Sequence, residues 1–402
     1  MYPASHPLVF LLARLCVWFW SVATALAMPP TVRDDFAAPQ RCDLQAFKEQ
    51  LLQVDRRIAT SPFPCKDQEL LARIVSQTRS CPHAEPLLGM ALYLQATCFE
   101  GAGDIHLATP AYEESVEILQ ADSKAPYMLA GVLADLSGHY LQLSRLDDAV
   151  RTSAQALRLM GEHQIRNEKA RLRALTAQAT AHTYRGRESD AIKLYRQVLS
   201  EFSLSECKEG TALSVAVATV NYADLIVGRH PQEALAQIDP LVSWAADRRL
   251  AGGSDAINGI LALAKCVQAK AYYVQGDFAA AESHALTGIQ LAESYFNPLD
   301  TMLADFRASI AEIYFDSKNY GEAEKLYTAV IAAFDDHGIV NSNLRVALVN
   351  YAVILRKTKR KTEAKVLEER VRQIDASPEG LLQRSTVDWI TIAPPTNGGE
   401  RP

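Results

Sequence analysis

A small residue recurs along the chain at a nearly constant interval, each time just after a short polar break. In YFDSKNYGEAEKLYTAVI (residues 314–331) it is Ala323, which stands between the large Tyr320 and Tyr327. Self-similarity at a period of 20–50 residues is typical of proteins built from stacked supersecondary units. Seven copies follow one another at spacings of 41, 42, 43, 47, 42 and 41 residues: Ala108, Ala149, Ala191, Ala234, Ala281, Ala323 and Ala364.

Each copy contains two stretches with helical apolar spacing, and the recurring alanine opens the second stretch. Sustained period-two alternation, the mark of strands, is absent from the copies. Glycine often lies in the break between the stretches, at Gly103, Gly186, Gly228 and Gly276. A second small residue lies near the middle of the first stretch, at Ser137, Ala179, Ala223, Ala269, Ala311 and Ala352.

Close packing explains this pattern. Two helices joined by a short turn lie antiparallel with their axes about 8–10 Å apart. A long side chain does not fit where they cross, so alanine on both helices lets the backbones approach while Tyr320 and Tyr327 fill the wider gaps. One pair cannot bury its apolar face alone and stacks on the next. The sequence therefore predicts an all-α protein of about seven helix pairs.

The stretches TVNYADLIV (219–227) and LVNYAVILR (348–356) share VNYA in the first helix of their copies. With the period, they resemble the tetratricopeptide repeat (TPR) family, in a long-period variant of about 42 residues that is similar to kinesin light chain repeats. The resemblance implies a right-handed α-α superhelix, a TPR-like solenoid, with a concave face lined by first helices. Apolar spacing in Asp43–Ile58 and Asp67–Thr78 predicts a helical cap before the first pair.

The N-terminus is predicted to be a targeting segment. Residues 8–27 are apolar apart from Arg14 and a few Ser and Thr, and they end in Ala25-Leu26-Ala27, a small-x-small cleavage signal. An uncleaved anchor is the alternative, because this stretch of 20 residues is long enough to span a membrane. The predicted organisation is a signal peptide (1–27), a leader and cysteine-containing helical cap (28–83), the solenoid (84–376) and an extended and disordered tail (377–402).

Six cysteines follow the predicted signal segment, and four of them fall within the first 100 residues. An exported protein can form disulfides. We expect Cys42, Cys65, Cys81 and Cys98 to pair with one another and staple the cap, although the spacing does not select a connectivity. Buried thiols are the alternative for Cys98, and the same expectation applies to Cys266, since both lie in predicted helices.

Prolines mark two copies that depart from the pattern. In the copy around Ala234, Pro231 shortens the turn and the Asp239-Pro240 step is expected to kink or shorten the second helix. In the copy around Ala108, Pro110 falls early in the second helix, where proline is tolerated.

Composition and motifs exclude several classes of function. The net charge of −6 argues against a general nucleic-acid binder, and the one dense basic run, 356–361, is typical of a solvated helix end. No H-E-x-x-H, phosphate loop, nucleophile elbow or C-x-x-C pair occurs. We therefore predict no catalytic residue, no cofactor and no metal.

The resemblance to TPR proteins supplies the candidate binding residues. The first helices of such proteins bind peptides or protein segments, and asparagine suits this role because its amide both donates and accepts. Some family members hold a C-terminal carboxylate with Lys and Arg, but Leu263 and Val267 occupy the corresponding places here and favour an apolar or mixed ligand. The groove positions carried over are Thr180, Tyr184, Asn221, Lys270, Tyr273, Glu312, Phe315, Asn350 and Arg356.

The sequence thus predicts an exported, periplasmic or secreted, non-enzymatic scaffold that binds a protein or peptide on its concave face. It predicts no membrane contact beyond the signal peptide and leaves the oligomeric state open. One alternative is an accessory subunit of a cell-envelope assembly for secretion or polysaccharide. Another is an enzyme with its site near the N-terminal cap.

Overall fold

The computed structural model separates the chain into two units, Met1–Asp43 and Leu44–Pro402, and all helices below belong to the second. The predicted signal segment, the leader up to residue 41 and the tail from residue 377 lie outside the described residues. The structure describes residues 42–60, 66–102, 104–121, 125–205, 207, 209–251, 255–295, 301–338, 340 and 342–376.

The described residues contain sixteen α-helices and no strands. They are α1 (Leu44–Thr60), α2 (Gln68–Arg79), α3 (Glu85–Gly101), α4 (Ile105–Ala121), α5 (Pro126–Gln142), α6 (Leu146–Glu162), α7 (Glu168–Tyr184), α8 (Glu188–Glu201), α9 (Glu209–Ile226), α10 (Pro231–Leu250), α11 (Asp255–Val274), α12 (Phe278–Tyr295), α13 (Thr301–Asp316), α14 (Tyr320–Asp336), α15 (Ser342–Lys357) and α16 (Lys361–Asp375).

The helices from α3 to α16 form seven contacting pairs, α3–α4 to α15–α16, which confirms the predicted all-α solenoid. Helices α1 and α2 precede them and pack on α3. Their fully buried Leu51, Leu71 and Ile74 join Ala91 and Leu94 of α3 in one apolar cluster. This packing covers the face of the first pair, as the predicted helical cap should.

The seven repeated alanines occupy one structural position. Each is the fourth residue of its second helix and is completely buried. Each backbone N–H donates to the carbonyl of the residue just before the helix, at 3.0–3.1 Å. The first helical hydrogen bond of each second helix therefore forms at a residue whose small side chain is fully enclosed, where a longer side chain has no free space.

The facing residues on the first helices are buried as well, with Ala179, Ala223, Ala269 and Ala311 at 0 % exposure. Tyr327 is also completely buried and fills a wider gap beside the crossing. At Gly288, a β-carbon would lie 3.2 Å from the backbone oxygen of Ala262. Small residues therefore set the interhelical distance at more than one level of a pair.

Five of the turns inside the pairs share one backbone pattern. A residue with φ of 56–81° ends the first helix, and the next N–H bonds back to the carbonyl five residues earlier at 2.8–2.9 Å. This is the Schellman motif, which satisfies the last carbonyls of a helix. Glycine fills the left-handed position only in two of the five turns; the positions are Ser144, Gly186, Gly276, Lys318 and Lys359.

The expected shortening of the second helix at Pro240 is wrong. Helix α10 runs through this proline for 20 residues, from Pro231 to Leu250. Pro240 is exposed, so the carbonyl that loses its helical hydrogen bond can face water. The buried Ile238 and Leu241 on either side hold the helix against its neighbours.

The cap and the first helix of the first pair contain oxidised cysteines. Cys42, Cys81 and Cys98 are each disulfide-bonded, whereas Cys207 and Cys266 carry reduced thiols. The predicted disulfide among the first four cysteines is confirmed, and the alternative of a buried thiol at Cys98 is wrong. Cys266 is buried in α11, as expected.

First helices of neighbouring pairs contact one another from α5 to α15, and α3 joins this row through the Tyr93 hydroxyl, which donates to Asp135 at 2.6 Å. Among the described residues, second helices of neighbouring pairs make no comparable contact. Closer spacing on one side of a stack bends it toward that side. This row of first helices, α3, α5, α7, α9, α11, α13 and α15, is called the first-helix wall.

Within the described part of the chain, none of the helices combines the length and apolarity needed to cross a bilayer.

We predict that Lys359→Gly raises the free energy of unfolding by about 0.5–1 kcal/mol, because a left-handed conformation strains every residue that has a β-carbon. Lys359 is exposed and has φ of 64°. Chemical denaturation measures the change. The matched control is Lys365→Gly at an exposed position inside α16, which should lose about 1 kcal/mol. A loss of stability in both variants would contradict the left-handed backbone conformation of Lys359.

Candidate functional site

A cleft opens in the first-helix wall between α9, α11, α13 and α15, with an empty volume of ≈ 450 Å³ that includes space open to solvent. It is called the central cleft. Its apolar lining includes Leu263, Val267 and Phe306, and none of the cap helices contributes to it. Its polar lining residues are Asn221, Asp224, Lys270, Asp305, Ser309 and Asn343.

Asn221 is the polar group of the cleft with the largest unmet bonding capacity. Its side chain lines the cleft, the residue is only 6 % exposed, and its amide makes no hydrogen bond within the described residues. Its amide is not among the fully enclosed side-chain groups that lack a partner, so it reaches the water of the cleft, which a bound molecule can replace. Asn221 is therefore poised to donate to and accept from a bound molecule.

Lys270 lies beside Asn221 but is already paired. Its Nζ donates to Oδ1 of Asp224 at 2.8 Å, which ties α11 to α9. Burial lowers the pKa of Lys270, but the Asp224 carboxylate outweighs it and the net pKa is raised. The raised pKa of Lys270 contributes stability that is present at neutral pH and is lost as the pH rises through the folded value. Lys270 thus remains cationic and largely neutralised by Asp224.

Glu312 lies on α13 close to Lys270, and Asp316 follows it one helical turn later. Burial raises the pKa of Glu312. The charge of Lys270 lowers this pKa, and the charge of Asp316 raises it further. Asp316 accepts a hydrogen bond from the hydroxyl of Tyr273. Burial and this hydrogen bond raise the pKa of Tyr273 to about 12, so the hydroxyl keeps its proton. Glu312 has no ion-pair or hydrogen-bond partner in the described part of the chain.

The other predicted positions lie apart from the central cleft. Thr180 is buried, with its hydroxyl 3.0 Å from that of Tyr195 inside the α7–α8 pair. Tyr184 is half-buried at the end of α7. Phe315 packs edge-on against Tyr320 with ring centroids 5.9 Å apart.

Asn350 and Arg356 on α15 both bond to second helices. The Asn350 amide donates to the Tyr327 hydroxyl at 2.9 Å. Arg356 pairs with Glu368 through two hydrogen bonds, one of 2.6 Å, and so links the helices of the last pair. Of the nine candidates, the structure brings Asn221 and Lys270 together in the cleft, with Glu312 near them.

Sequence reasoning missed the acidic partners of the cleft. Asp305 accepts a hydrogen bond from the Asn343 amide at 2.7 Å, linking α13 to α15. Three successive first helices carry a charged residue at their sixteenth position, at intervals of 46 residues: Asp224, Lys270 and Asp316. Aligning the repeat copies by their first helices shows this alternation of charge. Aligning them by the alanines of the second helices does not show it.

A second charged group lies on the N-terminal half of the wall. The Asp135 carboxylate on α5 accepts from the Tyr93 hydroxyl at 2.6 Å and pairs with Arg173 of α7. Burial and the Asp135 charge raise the pKa of Tyr93. The Arg173 charge lowers the pKa of Lys169, one turn earlier, and burial lowers it further. Lys169 has no ion pair among the residues that the structure describes.

No group of three or more His, Cys, Asp or Glu side chains in the described ranges is arranged to hold a metal ion.

The chain matches no family model and no curated protein. Solved structures with the same fold do match. The apo form of RapI aligns with a TM-score of 0.57 at 12 % identity over 82 % of this chain and 88 % of that one. A Rap protein complexed with competence and sporulation factor aligns with a TM-score of 0.54 at 12 % identity over 83 % and 98 %.

The apo form of the quorum sensor NprR from B. thuringiensis aligns with a TM-score of 0.52 at 15 % identity over 82 % of this chain and 97 % of that one. At these identities the likeness concerns the fold. With its seven pairs and buried alanines, the chain is a TPR-type helical solenoid. The finer likeness to kinesin light chain repeats stays a prediction.

We predict that Cys266 resists alkylation in the folded protein. Burial raises the pKa of this thiol to about 11, so the reactive thiolate is scarce at pH 8. Iodoacetamide labelling at pH 8 followed by peptide mass mapping should find Cys266 unmodified, and labelling in denaturant should modify it completely. Rapid labelling of the native protein would show that the cleft exposes the sulfur.

Proposed function

We propose that this protein is a non-catalytic scaffold that binds an extended segment of a partner protein along its first-helix wall, with the central cleft as the anchor point. The observation that carries the proposal is Asn221, a buried amide that lines the cleft and has no hydrogen-bond partner among the described residues. A peptide main chain offers both the donor and the acceptor that such an amide lacks.

The remaining lining supports a segment of mixed character. Leu263 and Val267 are 7 % and 2 % exposed, and they flank Asn221 with apolar surface that can receive an aliphatic or aromatic side chain. Lys270 is neutralised by Asp224 and is a poor anchor for a terminal carboxylate. An internal segment of the partner is therefore favoured over its C-terminus.

A binding role accounts for the cleft better than catalysis. Cys266, the one thiol of the cleft lining, has a pKa raised to about 11 and is a weak nucleophile at neutral pH. Lys270 is paired with Asp224, and its raised pKa keeps the ammonium protonated near neutral pH, so it is not available as a general base. The fold likeness to a Rap protein complexed with competence and sporulation factor gives further support for a binding role.

Export is part of the proposal. Disulfides persist in oxidising compartments and are rare in the cytosol. The oxidised Cys42, Cys81 and Cys98 support an exported location, in line with the small-x-small signal that ends at Ala27.

The test uses a library of random 12-residue peptides displayed on phage and panned on the purified protein. Binding of selected synthetic peptides is then measured by fluorescence anisotropy. We predict that Ser309→Trp weakens their binding at least about tenfold, because an indole in the cleft excludes the peptide.

Ser243→Trp is the matched control, since Ser243 also bonds to the carbonyl four residues earlier but lies exposed on the second helix α10. This control should bind like the unaltered protein. Equal binding by Ser309→Trp, or a failure to select any peptide, would refute the proposed function.

A further inference from the structure

The chain leaves helix α16 close to the central cleft. Asp375, the last residue of α16, accepts two hydrogen bonds from the guanidinium of Arg345 on α15, at 2.5 and 3.0 Å. Asn343, two residues before Arg345, lines the cleft and donates to Asp305 of α13, which lines it as well. The residues that follow α16 therefore start beside the α15 end of the cleft, one helix diameter away, about 10–12 Å.

The following residues are long enough to enter the cleft. Residues 377–384 connect the end of α16 to the stretch STVDWITI (385–392), which lies outside the described residues. An extended chain spans about 3.3–3.6 Å per residue, so residues 377–384 reach about 26–29 Å. Neighbouring helices lie about 8–10 Å apart, so the stretch can begin over α13 and cross α11 to α9.

The stretch 385–392 has the chemistry that the cleft lining favours. Its β-branched and aromatic residues favour extended backbone, and the side chains of an extended chain alternate between two faces. Val387, Trp389 and Thr391 share a face without charge, whereas Asp388 falls on the other face. The uncharged face suits the apolar lining of the cleft, and the opposite face then leaves the carboxylate in water, because burying an unpaired charge is unfavourable.

Asn221 supplies a polar contact for the backbone of such a stretch. Its residue is 6 % exposed, and its amide lines the cleft without a hydrogen-bond partner in the described part of the chain. A main chain that passes it offers both a donor and an acceptor. Because the stretch is tethered beside the cleft, its effective concentration there is on the order of 1 mM, so a weak intrinsic affinity is sufficient.

We propose that residues 385–392 of this chain occupy the central cleft when no partner is bound, with Trp389 against the apolar lining and the main chain beside Asn221. A partner segment has to displace them, so the chain's own stretch sets the affinity that a partner needs. This inference rests on the proposed function of the cleft and adds its regulation.

The test measures the binding of phage-selected peptides to variants of the whole chain by fluorescence anisotropy. Trp389→Ala should bind them about tenfold more tightly, the gain expected from losing an internal competitor with a Kd of about 100 µM at an effective concentration of about 1 mM. Ile390→Ala is the matched control, because it removes apolar atoms from the opposite face of the same stretch. This control should bind like the unaltered protein.

A labelled synthetic peptide of residues 383–394 measures the contact directly. It should bind to the Trp389→Ala variant, in which the internal stretch no longer competes. Adding Ser309→Trp to that variant should weaken the binding at least about tenfold, because the indole fills the cleft.

Three results would refute this inference. The first is equal binding of cleft-dependent peptides, as judged with Ser309→Trp, by Trp389→Ala and the unaltered protein; it would leave the proposed function standing. The second is an equal gain in affinity for Ile390→Ala, which would remove the assigned face. The third is a dimer in sedimentation velocity that Trp389→Ala dissociates, because the stretch would then occupy the cleft of a second copy.

Discussion

Inside each helix pair the two backbones approach so closely that a methyl group fills the space between them. Seven alanines occupy the same fourth position of a second helix, and all are completely buried. Because the first hydrogen bond of each second helix forms at this alanine, the start of the helix and its distance from the partner are fixed together. The stack, the first-helix wall and the central cleft all depend on this crossing.

The crossing also determines what the wall can display. Apolar side chains fill the interior of each pair, so polar groups of the first helices can satisfy their bonding needs on the wall. There they tie neighbouring pairs together, as Asp224 does with Lys270 and Asp305 with Asn343. The Asn221 amide remains without such a partner among the described residues, as do the buried side-chain oxygens of Thr176 and Asn258. The first helices therefore keep a few polar groups that their own links do not satisfy.

The architecture could be predicted from the sequence because a repeated steric requirement leaves a repeated residue. The period, the seven pairs and the cap follow from apolar spacing and from small residues such as Ala281 and Ala323. Single turns were harder, since Lys318 and Lys359 adopt a left-handed conformation that sequence reasoning assigns to glycine. Helix α10 continues through Pro240 because burial on both sides outweighs one lost hydrogen bond.

The candidate site was predicted only in part. Asn221 and Lys270 were found because the repeat pattern marks their first helices, but Asp224 was missed because pairing across copies depends on three-dimensional register. Thr180 and Asn350 were chosen by position, and the structure places their side chains in hydrogen bonds to Tyr195 and Tyr327. A repeat pattern specifies the helix that carries a residue more reliably than the direction in which its side chain points.

The close crossing is tested most directly by enlarging one of its alanines and measuring the free energy of unfolding. Ala281→Leu places a large side chain at the crossing of α11 and α12, whereas Ala279→Leu places it at an exposed position of the same helix. We predict a loss of about 1–3 kcal/mol for Ala281→Leu, the usual effect of overpacking, and a change within about 0.5 kcal/mol for Ala279→Leu. Equal stability of the two variants would show that the crossing has room to spare and would contradict the account.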